Sequence, residues 1–96
     1  MEIKLKTKHI IMLSRLVSKM ELFIDFKGKT QEEIGGDITL DIIRNIHKAD
    51  AELYEILGDI LGYNPEKVAD MEIKELIDII RAVINEVVNF IKKPEA

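Results

Sequence analysis

Residues 59–76, "DILGYNPEKVADMEIKEL", decide how this chain is read, because three helical patterns meet inside them. Gly62 is placed to stop a helix ending near Leu61, since glycine takes the left-handed conformation of a helix end without a steric penalty. Asn64 is a good N-cap, and Pro65 suits the first helical position, where its missing N–H loses no bond. Glu66 then lies near the positive end of the new turn. "PEKVAD" is therefore a short helix anchored by Val68, with Tyr63 laid over it, ending at Asp70 or Met71. A further helix begins near Glu72. A chain that reverses by helix, clip and helix belongs to a small all-α fold.

Downstream, the last helix runs to about Lys92 on the stripe Ile73, Leu76, Ile77, Ile80, Val83, Ile84, Val87, Val88 and Ile91. Lys92 and Lys93 suit its negative end, and Pro94 stops it. Upstream, a long amphipathic helix is expected from Asp37 or Ile38 to Leu61. Its stripe is Ile42, Ile46, Ala49, Leu53, Ile56 and Ile60, flanked by Ile43 and Leu57, with Arg44, Asn45, Lys48, Glu52, Glu55 and Asp59 opposite. The weakly helical "HKAD" at 47–50 is where it could bend or split. Residues 26–37 read as a connector. Thr30 and Glu33 have capping-box spacing, but Gly35-Gly36 limits any helix there to a turn or two. At the start, Thr7 caps a helix from about Lys8 to Ile24 on the stripe Ile10, Leu13, Val17, Met20 and Ile24, widened by Ile11, Leu16 and Phe23. Gly28 is the left-handed residue beyond it. The expectation is one domain, residues 1–96, built as a bundle of three main helices plus one or two short connecting ones.

Composition narrows the function. Hydrophobic residues make up 47% of the 96 and charged residues 33%, too apolar for a disordered chain. The longest pure apolar run is "IIML", Ile10 to Leu13, far short of the 18 or so residues a membrane span needs. "MEIKLKTK" has no apolar signal-peptide core, so no export is expected. Cysteine is absent, which removes disulfides, thiolate metal sites and a cysteine nucleophile. An intracellular, cytoplasmic protein fits. Isoleucine occurs 17 times and tryptophan not at all, which is core material more than a stacking platform for bases. Charge is uneven: residues 1–29 carry seven Lys/Arg against three acids (+4), and the remainder seven against fifteen (−8), summing to −4. A net negative chain is a poor general DNA binder. The basic first third reads as a solvated helix face that attracts the acidic remainder.

Two constellations invite chemistry. Glu52 and Glu55 form E-x-x-E, and Glu75 and Asp78 form E-x-x-D, an order that resembles the Mg²⁺ site of the all-α MazG-like nucleotide pyrophosphohydrolases. Mg²⁺ takes hard oxygen ligands and bridges phosphates, so the residue types suit it. At about 100° per residue, however, Glu52 lies roughly 90° and Glu55 roughly 150° from the centre of their stripe, and Glu75 and Asp78 roughly 150° from theirs. The second constellation is the corner at 62–76, which has the shape of a helix-turn-helix reader. A recognition helix needs basic residues, and this corner offers Glu66, Asp70, Glu72, Glu75 and Asp78. His9 and His47 have no partner at metal-ligand spacing. Ser14 and Ser18 lie within a helix, where a serine nucleophile has no strained turn to expose it. Gly35-Gly36 lacks the rest of a phosphate-binding fingerprint.

Ile79 and Phe90 fall off the main stripe of the last helix, and Val83, Val87 and Val88 broaden its apolar face. Three helices cannot easily hide all of this, and spare apolar surface marks partners or self-association. Three stretches then carry a family resemblance: "LKTKHIIMLSRLVSKM", a basic and apolar opening helix; "GGDITLDIIRNIHKADAELYEILGDILGYNPEKVADM", a G-D-I opening, a long helix, a glycine and a short clip; and "EIKELIDIIRAVINEVVNFI", an aliphatic closing helix. In them the chain resembles the small tail assembly chaperones of long-tailed phages and prophages of Gram-positive bacteria. The resemblance implies a non-enzymatic protein with no cofactor, metal or catalytic residue. It implies binding to the tape measure protein, recruitment of tail tube subunits, action in the host cytoplasm and absence from the mature virion. It also implies that this is the short form of a product that a frameshift can extend. The surfaces expected to bind partners are Ile79, Val83, Val87 and Phe90 on the closing helix, and Lys8, Arg15 and Lys19 on the basic opening helix.

Overall fold

The structure, a computed structural model, describes residues 3–23 and 27–92, with the backbone alone at 91 and 92. Ile24, Lys93 and Pro94, expected at helix ends, lie outside the described residues. So do the side chains of Ile91 and Lys92. The chain is all-α: α1 (Thr7–Met20), α2 (Gln31–Arg44), a 3-10 turn (Ile46–Lys48), α3 (Asp50–Leu61), α4 (Pro65–Ala69) and α5 (Ile73–Lys92). α1 packs on α3, α2 packs on α5, and α4 folds back onto α3. The 3-10 turn touches α1, α2 and α3.

In the middle of the chain two expectations about boundaries change. The segment taken for a connector is helical, because the Thr30–Glu33 box is made in full: Glu33 N–H donates to Thr30 Oγ1 (3.1 Å) and Thr30 N–H to Glu33 Oε1 (3.2 Å). Tertiary contact overrides the weak helix propensity of the glycine pair. Ile34, Ile38 and Ile42 form the buried stripe of α2, and a Cβ on Gly35 would run into the side-chain oxygen of Asn85 on α5. The long helix expected over 38–61 is split. Asn45 ends α2, with its side-chain amide donating to the carbonyl of Asp41 at 2.8 Å. The 3-10 turn follows, and Ala49, 2% exposed, starts α3. The charges fit the split, with Arg44 at the end of α2, Lys48 in the 3-10 turn, and Asp50 and Glu52 in the first turn of α3.

The first helix is shorter and turned relative to its expected stripe. Lys6, not Thr7, is its N-cap, and Glu21 closes it with a left-handed φ of 57°. Its buried line is His9, Leu13, Leu16 and Met20, a 4-3-4 spacing, while Ile10 and Ile11 are exposed. At the corner the glycine stop, the cap, the proline and the Val68 anchor take the roles expected of them. Gly62 is left-handed (φ 77°), Asn64 Oδ1 accepts from Lys67 N–H at 2.8 Å, Pro65 opens α4 and Val68 is buried. Tyr63 is exposed and carries the Lys67 ammonium 3.8 Å from its ring centroid.

One core unites the elements. Its buried residues are aliphatic throughout, from Leu13, Leu16 and Met20 on α1 to Leu76, Ile79, Ile80, Val83, Ile84 and Val88 on α5. Gly58 ties down the close approach at the end of α3, whereas Gly36 makes none. A Cβ on Gly58 would sit 2.6 Å from the backbone oxygen of Tyr63, whose own N–H donates to the Gly58 carbonyl at 2.8 Å. Backbone cannot step aside there. Gly36, in the interior of α2, has open space in the Cβ direction. Gly58→Ala should therefore lower unfolding stability by about 1–3 kcal/mol, whereas Gly36→Ala should raise it by about 0.5–1 kcal/mol. Urea unfolding followed by far-UV circular dichroism checks both, and equal effects at the two positions would contradict the packing described.

Candidate functional site

A buried histidine fastens the opening helix to α3. His9 is 2% exposed. The backbone N–H of Lys6 donates to its Nδ1 at 2.9 Å, so the proton of the neutral ring sits on Nε2. Nε2 lies 2.8 Å from Asp59 Oδ2 and donates to it. Lys8 Nζ approaches the same oxygen at 3.1 Å. The Lys8 ammonium, then the His9 ring, holds the Asp59 carboxyl below its ordinary value of 3.8. Both ring nitrogens are engaged, so His9 has no lone pair or proton to offer a substrate. Its role is to cap α1 and to bridge two helices.

The expected basic surface is largely committed inside the molecule. Lys8 pairs with Asp59 and Lys19 with Glu52. The Lys19 hydrogen bond, followed by a backbone one, lowers the Glu52 carboxyl from its ordinary value of 4.5. Arg15 is exposed and lines a shallow hollow with Glu52 and Glu55. The basic face of α1 and the acidic face of α3 are thus apposed, as the uneven charge of the sequence implied. Glu55, Glu75 and Asp78 are exposed. Among the described residues, no three His, Cys, Asp or Glu side chains are grouped to hold a metal ion.

The expected apolar surface on the closing helix needs correction. Ile79 and Val83 are 2% and 1% exposed, so they are core residues. The reason is α2, which forms a full helix and covers the broad face that three helices would have left bare. Val87 is partly buried against the core. Phe90 is 82% exposed. What sequence reasoning missed is the opposite wall. Ile3, Leu5 and Ile10, from the opening segment and the first turn of α1, face Val87 and Phe90 across an open groove of about 520 Å³. Lys4, Lys6 and Thr7 line it on one side and Glu86 on the other. Had His9 been recognised as buried, the rotated stripe of α1 would have put Ile10 outside. A second hollow, of about 410 Å³, holds Phe23 and Leu40 but also Lys29, Asp37, Asp41 and Arg44. The first groove is the more apolar of the two.

The chain matches no protein-family model, no curated protein and no solved structure. Among the described residues, no helix is long and apolar enough to cross a membrane.

The His9 bridge can be tested directly. His9→Ala removes a cap, an inter-helix bond and buried volume, and should lower stability by about 2–4 kcal/mol. Asp59→Asn probes the same bridge by pH. A carboxyl whose folded value lies below its unfolded one contributes stability that is present above the unfolded value and lost as pH falls through the folded value. Wild type should therefore be more stable than Asp59→Asn at pH 7, and the gap should close as the pH drops below 3.8. A gap that persists unchanged at pH 2.5 or lower (about one unit and more below the ordinary value) would show that the carboxylate charge is not what matters.

Proposed function

We propose that this chain is a non-enzymatic interaction protein, a tail assembly chaperone of a long-tailed phage or prophage. In this reading it binds the tape measure protein in the bacterial cytoplasm, helps recruit tail tube subunits, and stays out of the finished particle. Two things support the reading. The sequence resemblance covers the opening helix, the long central stretch with its clip, and the closing helix. The groove between the opening segment and the end of α5 is the observation that carries it, because Phe90 and Ile10 stand 82% and 45% exposed beside it. Fully burying a side chain of this kind is worth about 1.5–3 kcal/mol. An amphipathic client helix with apolar anchors one turn apart suits such a groove. The reading assigns no catalytic residue.

Co-expression provides the test. With a tape measure protein as client, the chain should keep that protein in the soluble fraction. Phe90→Asp combined with Ile10→Ser should lose at least about tenfold of the soluble client, equivalent to roughly 1.4 kcal/mol of binding, while far-UV circular dichroism stays helical. A folded double variant that holds the client as well as wild type would remove the groove from the reading. Mg²⁺-dependent hydrolysis of nucleoside triphosphates by the pure protein, lost in Glu52→Gln, would replace the reading with an enzyme.

A further inference from the structure

The charges beside the groove have a symmetry of their own. Its apolar bed is Leu5, Ile10, Val87 and Phe90. Lys4 and Lys6 stand on the wall formed by the opening segment and Glu86 on the wall formed by α5; Lys4 is already engaged within the molecule, which leaves Lys6 and Glu86. Both are exposed, and among the described residues neither has an ion-pair partner. Opposite charges on opposite walls, unsatisfied within one molecule, do not favour a uniformly acidic or basic partner, because one wall would repel it. They fit a partner presenting the same two charges in reverse order. A second copy turned by a two-fold axis does this, since in such an interface residue i meets j and j meets i.

We propose that the free protein is a reversible homodimer closed across this groove. Phe90 of each copy enters the groove of the other, and Lys6 of each copy faces Glu86 of its partner. One patch supplies both the projecting ring and the hollow that receives it, which a self-complementary interface requires. The patch is small against the 800 Å² or so per partner of a stable complex, so the dimer is weak, with a dissociation constant in the range of about 10–100 µM. The dimer rests on the groove alone and needs no client. If the groove also takes a client helix, client and second copy exclude one another, and the dimer protects the exposed Phe90 until a client arrives.

Sedimentation equilibrium of the pure full chain tests this without any client. Mass should rise with concentration from the 11.0 kDa of one chain toward twice that value. Phe90→Asp should hold the protein at one chain while circular dichroism stays helical. Lys6→Glu and Glu86→Lys should each raise the dissociation constant about tenfold, because each places like charges together twice in the interface. The Lys6→Glu/Glu86→Lys double variant should return to near the wild-type value. A wild-type chain that stays single up to about 1 mM overturns the proposal. So does a dimer indifferent to Phe90→Asp, or a double variant no better than the singles.

Discussion

The interruption at residues 45–49 is the constraint on which the rest of the molecule depends. Continued without a break, residues 31–61 would form one helix about 46 Å long, longer than the 39 Å of the whole molecule's greatest dimension. Such a rod would keep α2 and α3 in line, and the helices on either side could cover only part of it. The Asn45 amide, bonded back to the Asp41 carbonyl, and the single 3-10 turn after it redirect the chain. Two helix pairs then become possible, α1 with α3 and α2 with α5, and one core can lie between them. Ala49, small and buried, sits at the bend, where a larger side chain would keep the pairs apart.

The two pairs are held by different forces. α2 and α5 meet through branched aliphatic side chains and through Gly35, which lets α2 approach the side chain of Asn85. α1 and α3 add electrostatics: Lys8 and His9 on Asp59, and Lys19 on Glu52. The Lys19–Glu52 and Lys8–Asp59 pairs are partly solvated, and pairs of that kind add little to stability. The His9 bond is buried at one end and fixes the rotation of α1 about its axis. That rotation turns Leu16 inward and Ile10 outward, and so creates one wall of the groove.

Sequence reading succeeded where a residue has one physical reason to be present. Gly62, Asn64, Pro65 and Val68 each act locally, and each appears in the role its type predicts. The Thr30–Glu33 box is equally local and equally legible. Reading failed where a distant partner decides. Gly35-Gly36 discourages a helix by propensity, but α5, some 50 residues later, stabilises one. His9 looks polar, so the periodicity of α1 centres on Ile10 and Val17 with Leu16 at its margin, whereas the buried line runs through His9 and Leu16. Its burial depends on Asp59, which no local pattern reveals. The break at 45–49 was half legible, since a basic cluster followed directly by acids marks a stop and a start. The groove was the least legible feature. It depends on the rotation of α1, on the reach of the opening segment and on how much of α5 is covered, and each of these is a tertiary outcome.

The pairing of α2 with α5 also sets an order of events during synthesis. The stripe of α2 is complete at Ile42, but the α5 residues that cover it continue to Val88. Translation at about 5–20 residues per second leaves a gap of roughly 2–9 s between the two. Throughout that interval Ile34, Ile38 and Ile42 have no permanent cover, whereas α3, the partner of α1, is already complete at Leu61. The nascent chain therefore passes through a stage in which its first pair is docked and its second helix is exposed.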